Sequence, residues 1–220
     1  PAECIDGGIL FYPQLYDYRE ISFLRSHLAN GDIFLDIGAN IGFYTLAVSK
    51  MVGDNGRVVS VEADAYNYRK LCKNLELNRS ENVISYNIGV SDKKEQLKLG
   101  VDLSGNRGAN SFLFSKERDN FINVECKPLL SIIKDLKLQK RISIAKFDIE
   151  GFEFRVLKKF LEDAESRFYP HYIVVEYRAD LVNQAGGDVI HLLKTKGYKL
   201  IIDCGINKIM EYRDCPARVD

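Results

Sequence analysis

Residues Asp36 to Gly42 read Asp-Ile-Gly-Ala-Asn-Ile-Gly directly after the apolar run Ile33-Phe34-Leu35, and Glu62 closes the next apolar run, Arg57-Val58-Val59-Ser60-Val61. Glycines at 38 and 42 let backbone approach a ligand closely, while a carboxylate on the preceding strand binds an amino group or stabilises a cation. Glu62 is acceptor-only and can take hydrogen bonds from both hydroxyls of a ribose. An ammonium, a sulfonium and a ribose occur together in S-adenosylmethionine, and these residues imply a site for it. The competing pattern is the dinucleotide fingerprint Gly-x-Gly-x-x-Gly, but here Asn40 stands at the central glycine position and Asp36 disfavours a pyrophosphate.

A second set of acids belongs to the reacting side. Asp148 and Glu150 are expected to finish the strand built on Ile144-Ala145-Lys146-Phe147, and Glu176 to finish Ile173-Val174-Val175. Side chains two apart on a strand share a face, so Asp148 and Glu150 are expected to point the same way into a cleft, with Gly151 allowing close approach. Methyl transfer to oxygen requires the acceptor hydroxyl to lose its proton, for which an ordinary Asp is a poor base. Either burial of one acid beside another raises its pKa, or a divalent cation acidifies the hydroxyl. Asp148 and Glu176 have the hard oxygen donors magnesium takes. For Glu150 the alternative is a helix N-terminal carboxylate that accepts from the amides of Phe152 and Glu153. Asn110 and Ser111 offer short polar groups for binding a hydroxylated substrate. His27, His171 and His191 are set aside as packing or surface residues, and Tyr12, Tyr16 and Tyr18 as core or lid residues before sugar-stacking ones.

The elements that must position these residues alternate. Strands are predicted over 32–37, 57–62, 83–89, 143–149 and 172–176, and helices over 42–52, 65–78, 129–138, 152–164 and 188–196. This alternation implies a parallel sheet with right-handed crossovers. The runs 199–203 and 208–212, joined by Cys204-Gly205-Ile206-Asn207, predict a terminal hairpin with an antiparallel last strand. Residues 1–31 are expected to form a lid or packing segment whose helix carries Ile21, Phe23, Leu24 and Leu28. Residues 91–126 interrupt the rhythm and are expected to be a substrate-side insertion over the ligand edge. With 220 residues and 46% hydrophobic content, one α/β domain over 1–220 accounts for the chain. Lys+Arg and Asp+Glu each count 31, so no basic field draws in nucleic acid. Five scattered cysteines without a Cys-x-x-Cys pair argue against a disulfide framework or zinc site and for a reducing, cytoplasmic setting. No apolar stretch is long enough to span a bilayer. The chain begins at Pro1, which suggests a piece of a longer polypeptide.

The blocks Asp36-Ile-Gly-Ala-Asn-Ile-Gly-Phe-Tyr-Thr45, Val61-Glu62-Ala63, Gly89-Val90-Ser91-Asp92, Lys146-Phe-Asp-Ile-Glu-Gly-Phe-Glu153 and Val174-Val-Glu176 follow one another in the order of the FkbM-type methyltransferase family, which the chain resembles. The resemblance implies a class I methyltransferase fold: a Rossmann-like, seven-stranded, mostly parallel sheet with helices on both faces and an antiparallel last strand. It further implies S-adenosylmethionine-dependent O-methylation of a sugar, glycan or natural-product hydroxyl, sometimes on a chain fused to other domains such as glycosyltransferases. Carried over by position, Asp36, Gly38, Ala39, Asn40, Gly42, Tyr44, Thr45, Glu62, Ala63 and Asp148 would bind the cofactor, with Gly89, Val90 and Ser91 near the adenine. Phe147 departs from the isoleucine or valine usual in such blocks, and residues 91–126 match nothing beyond the Asn110-Ser111 pair. The rival readings are a nicotinamide-dependent oxidoreductase and a non-catalytic cofactor-sensing domain.

Overall fold

A computed structural model describes residues 17–101, 110–113, 120–138 and 140–213. Tyr12, Tyr16, Cys4, Cys215, most of the expected lid segment and the tip of the expected insertion lie outside the described residues.

Helix α1 (Tyr18–His27) is followed by β1 (Ile33–Ile37), α2 (Phe43–Val52), β2 (Arg57–Val61), α3 (Ala65–Asn78) and β3 (Val83–Tyr86). Short strands β4 (Gly89–Ser91), β5 (Glu95–Gly100) and β6 (Phe121–Pro128) intervene before α4 (Leu129–Asp135), β7 (Ile144–Phe147), α5 (Glu153–Asp163), β8 (Tyr172–Glu176), α6 (Val189–Thr195) and the hairpin β9 (Tyr198–Asp203) and β10 (Asn207–Tyr212). Seven strands form one sheet in the order β3-β2-β1-β7-β8-β10-β9. β10 runs antiparallel to both its neighbours, and the pairs from β3 to β8 are parallel. Successive residues of a strand face opposite sides, so the sheet separates two apolar cores. Ile33, Leu35 and Ile37 face the layer that holds α4, α5 and α6. Phe34, Ile144 and Val174 face the layer of α1 and α2, where Phe23, Leu24 and Val48 pack. The His27 ring stacks on Phe23 and meets the edge of Tyr172, a packing role.

Several expected boundaries move, each for a physical reason. The run 83–89 divides after Tyr86, because Asn87 turns out of the sheet and donates its side-chain amide to the carbonyls of Glu62 and Ala63 at 2.9 and 3.2 Å. Gly89–Ser91 then pairs with β6, and β6 with β5, so the expected insertion is a second, three-stranded sheet. The strand expected over 143–149 ends at Phe147, since Glu150 (φ 53°) and Gly151 (φ 96°) are left-handed and turn the chain towards α5. Asp148 and Glu150 are therefore turn residues, and the two-residue strand period does not set their directions. The turn ahead of α5 is held by Glu153, whose carboxylate accepts from the amides of Ile149 and Gly151 at 2.7 and 2.9 Å.

The chain leaves β1 and β7 in opposite directions across the sheet, which makes the gap beyond their carboxyl ends the topological switch point. Gly38 sits there with φ 86°, and a Cβ on it would collide with the Asp148 carbonyl. Gly38→Ala is expected to cost more than about 2 kcal/mol, combining backbone strain with that collision. Gly205→Ala is the control: it has a similar φ of 91° but open space around it, and should cost about 1 kcal/mol. Urea denaturation of both variants measures the difference.

Candidate active site

The carboxyl ends of the strands border a cleft enclosing about 590 Å³, its open mouth included, within the range of small-ligand sites. Gly38 and Asn40 come from the β1 turn, Glu62 and Ala63 from the end of β2, and Gly89 and Val90 from the second sheet. Asp148 and Glu150 form the third side, with Asn110 at the rim. Ile88, Leu99 and Phe112 supply apolar wall.

Glu62 is 8% exposed. Its two oxygens accept from the backbone amides of Asn40 at 2.7 Å and Asp64 at 2.8 Å. Each retains a second lone pair, so the brace leaves acceptor capacity for a ligand. Burial pushes its carboxyl up to about 7, against the pull of those two amides.

Asp36 is placed differently from the sequence expectation. It is 1% exposed and does not line the cleft. It follows Phe34 on its strand and faces the α2 layer, where Thr45 Oγ1 donates to Asp36 Oδ2 at 2.6 Å. Its Oδ1 has no hydrogen-bond partner among the described residues. Burial raises its pKa, while Lys146 and the Thr45 bond oppose the rise. Tyr44 and Thr45, at the start of α2, share this buried layer, and Tyr44 donates its hydroxyl to Asp17 at 2.7 Å. Gly42 is the left-handed cap of α2 (φ 95°), with Leu71 in the space its side chain would take. The glycines of this turn thus serve helix packing and loop contact first.

The acids on the other side converge. One oxygen each of Asp148, Glu150 and Glu176 lies within 4.8 Å of the others. Glu176 Oε2 is buried without a hydrogen-bond partner among the described residues. Burial, then the like charges of Asp148 and Glu150, push the Glu176 carboxyl up to about 9. Glu153 behind them is pushed up to about 7 by burial.

Sequence reasoning passed over Lys146. It is 3% exposed, and its ammonium donates to Asp148 Oδ2 at 2.8 Å and lies 4.6 Å from the centre of the Tyr44 ring. Burial works to lower its pKa, and Asp148 and Asp36 outweigh burial to raise it. A lysine inside the otherwise apolar run Ile144-Ala145-Lys146-Phe147 was the available signal, because a buried ammonium requires an anion. The expected substrate pair is used by the protein itself. Asn110 donates to Asp64 at 2.9 Å, and the buried Ser111 hydroxyl donates to the Glu150 carbonyl at 2.7 Å. Ser91 is buried too, bonded to Asp92 and Glu95.

A model of the methyltransferase FkbM domain family matches residues 36–200. The chain belongs to this family. A crystal structure of methyltransferase FkbM from Methylobacillus flagellatus KT is 16% identical, covers 84% of this chain and has a TM-score of 0.53. The FkbM domain described here spans 44% of that protein. A precorrin-6y C5,15-methyltransferase from Geobacter metallireducens GS-15 is 13% identical, covers 89% of both chains and has a TM-score of 0.54. An rRNA methylase from Streptococcus thermophilus is 12% identical, covers 88% of this chain and 94% of its own, with a TM-score of 0.50. The shared fold is the Rossmann-like fold of class I S-adenosylmethionine methyltransferases. No curated protein matches the sequence. No helix among the described residues is long and apolar enough to cross a membrane.

The raised acids of this FkbM domain give its stability a pH signature. Glu62, Glu153 and Glu176 all sit above the usual 4.5, so the folded protein holds more protons than the unfolded chain from there up to their raised values. Stability therefore falls as pH rises through that window. The Tm should be highest near about pH 5 and decline to about pH 9, and Glu176→Gln should flatten the curve above about pH 8, where Glu62 and Glu153 have lost their protons and Glu176 still titrates. Thermal unfolding at constant ionic strength measures both.

Proposed function

We propose that the domain transfers a methyl group from S-adenosylmethionine to a hydroxyl oxygen of a sugar, a glycan or a related natural product. The observation that carries this reading is a cleft that presents the braced Glu62 carboxylate on one side and Asp148 and Glu150 on another, with an oxygen of Glu176 behind them within 4.8 Å of theirs. Bound adenosylmethionine would supply an electrophilic methyl group on a cationic sulfur. The residues fit such a ligand: Glu62 has lone pairs for vicinal hydroxyls, Ile88, Val90, Leu99 and Phe112 offer an apolar slot for a flat ring, and Asp148 and Glu150 bring negative charge to the cleft. Asp36 contributes from beneath, as the acid that fixes α2 through Thr45.

Asp148, with Glu150 beside it, takes the proton of the acceptor hydroxyl. The crowding falls on Glu176, whose carboxyl is raised by burial and then by the like charges of Asp148 and Glu150. The same three carboxylates are the donor type magnesium takes; Asp148 and Glu176 would hold the ion, and its chemistry there would be to acidify the hydroxyl. The balanced charge of the chain favours a neutral, hydroxylated acceptor over nucleic acid. The cytoplasmic assignment belongs to this reading, and the described cysteines are free thiols.

Calorimetry should detect binding of adenosylmethionine and its demethylated product, with no binding of NAD; the opposite pattern would replace this reading with an oxidoreductase. A mass-spectrometric screen of sugars and oligosaccharides with the intact protein should find a methylated product. Binding of the donor with no transfer to any acceptor would instead support a sensing domain. Asp148→Asn should lower turnover about a hundredfold or more while donor affinity stays within a few-fold. Activity is expected to survive EDTA, and its loss with recovery on added magnesium would assign deprotonation to a metal-held hydroxyl.

A further inference from the structure

We propose that Lys146 is a positioning residue for methyl transfer: from inside the sheet it ties down the Asp148 carboxylate that faces the cleft, and it supplies the counter-charge that lets Asp36 stay buried beside it. The inference rests on the assignment of Asp148 to the acceptor hydroxyl.

Lys146 shares its face of β7 with Ile144, in the apolar layer of Phe34, Val174 and Val48. For packing alone, a methionine would fill that place without the desolvation cost of an ammonium. The two ends of its ion pair lie in different surroundings: the Lys146 side chain is 4% exposed and that of Asp148 is 41% exposed. The bond therefore reaches from the protein interior to the edge of the cleft. The Asp148 amide still bonds to the Ile37 carbonyl at 3.0 Å, one step past the end of β7, which holds its backbone, and the 2.8 Å bond from Lys146 holds its side chain.

The second partner is on the neighbouring strand. Asp36 and Lys146 are opposed in the register of β1 and β7 and face the same layer. Asp36 uses one oxygen for Thr45 and has no hydrogen bond among the described residues to the other. A lysine ammonium has three donors and acts as a compact point charge, so one cation serves both carboxylates. Among the described residues, Asp17, ahead of α1, and Tyr44 of α2, whose ring covers the ammonium, also face it.

The test uses the intact protein carrying Lys146→Met, Lys146→Arg, Asp36→Asn, and Lys146→Met with Asp36→Asn. With the acceptor found by the screen, Lys146→Met should lower kcat per folded molecule about 30-fold or more and leave the donor KM within about threefold, and Lys146→Arg should recover about tenfold. Removing the ammonium leaves Asp36 buried without its counter-charge, so Lys146→Met should also lower Tm by about 6 °C or more. Adding Asp36→Asn should return at least half of that loss, although Asp36→Asn alone brings no gain. An unchanged kcat per folded molecule in Lys146→Met would overturn the positioning role. Equal effects of Asp36→Asn in the two backgrounds would overturn the counter-charge role. If the unaltered protein methylates nothing, the functional assignment fails, and the thermal cycle still decides the placement of Lys146. If Lys146→Met does not fold, recovery of a folded protein by the double variant upholds the pairing, and its failure to fold overturns it.

Discussion

The site depends on how closely two backbone turns approach at the switch point. The turn after β1 and the turn after β7 touch through Gly38 and the Asp148 carbonyl, leaving no room for a side chain between them. The Asp148 amide donates to Ile37 at 3.0 Å, which continues the strand pairing one step past the end of β7. Everything that lines the cleft is referenced to this contact. Asn40, two residues beyond Gly38, takes up the Glu62 carboxylate, and Glu150, two residues beyond Asp148, meets Glu176.

The electrostatics follow from the same convergence. Parallel strands ending side by side bring Glu62, Asp148 and Glu176 to neighbouring strand ends, with Asp36 buried beneath them. Within this collection the acids are handled differently. Glu62 and Glu153 are satisfied by backbone amides. Asp36 relies on a threonine and a lysine below the rim. Asp148, Glu150 and Glu176 crowd one another, with an oxygen of each within 4.8 Å of the others, and Asp148 and Glu150 line the cleft. Glu153, bonded back to the amides of Ile149 and Gly151, and a left-handed Glu150 shape the turn that leads into α5.

Much of the fold was legible because the chain is locally consistent. The alternation of apolar runs with helix-period segments located β1, β2, β7 and β8, and in the structure the side chains of Asp64 and Asp188 cap α3 and α6. The Cys204–Asn207 connection identified the hairpin and its antiparallel last strand. The misses arose where tertiary contacts overrode a short apolar pattern. Nothing in Tyr-Asn-Ile-Gly indicates that Asn87 will reach the Glu62 carbonyl and send Gly89–Ser91 into another sheet. Asp36 reads as a cleft residue from its place near a strand end, and the structure puts it on the face of Phe34, bonded to Thr45 of α2. Lys146 stands out only as a lone cation within an apolar run, and its partners come from outside that run or beyond its end. Ser111 resembled a loop hydroxyl and proved to be a buried support for the turn at Glu150.

The three-stranded sheet of β4, β5 and β6 has a meaning for how such an enzyme diversifies. It carries one wall of the cleft on a framework of its own, stitched to the main body by Asn110 at Asp64 and by Ser111 at Glu150. Mutational drift in that small sheet can reshape the wall while the seven-stranded frame and the rim acids keep their register. Inheritance of the chemistry and innovation in what it is applied to are thus assigned to physically separate pieces of one chain.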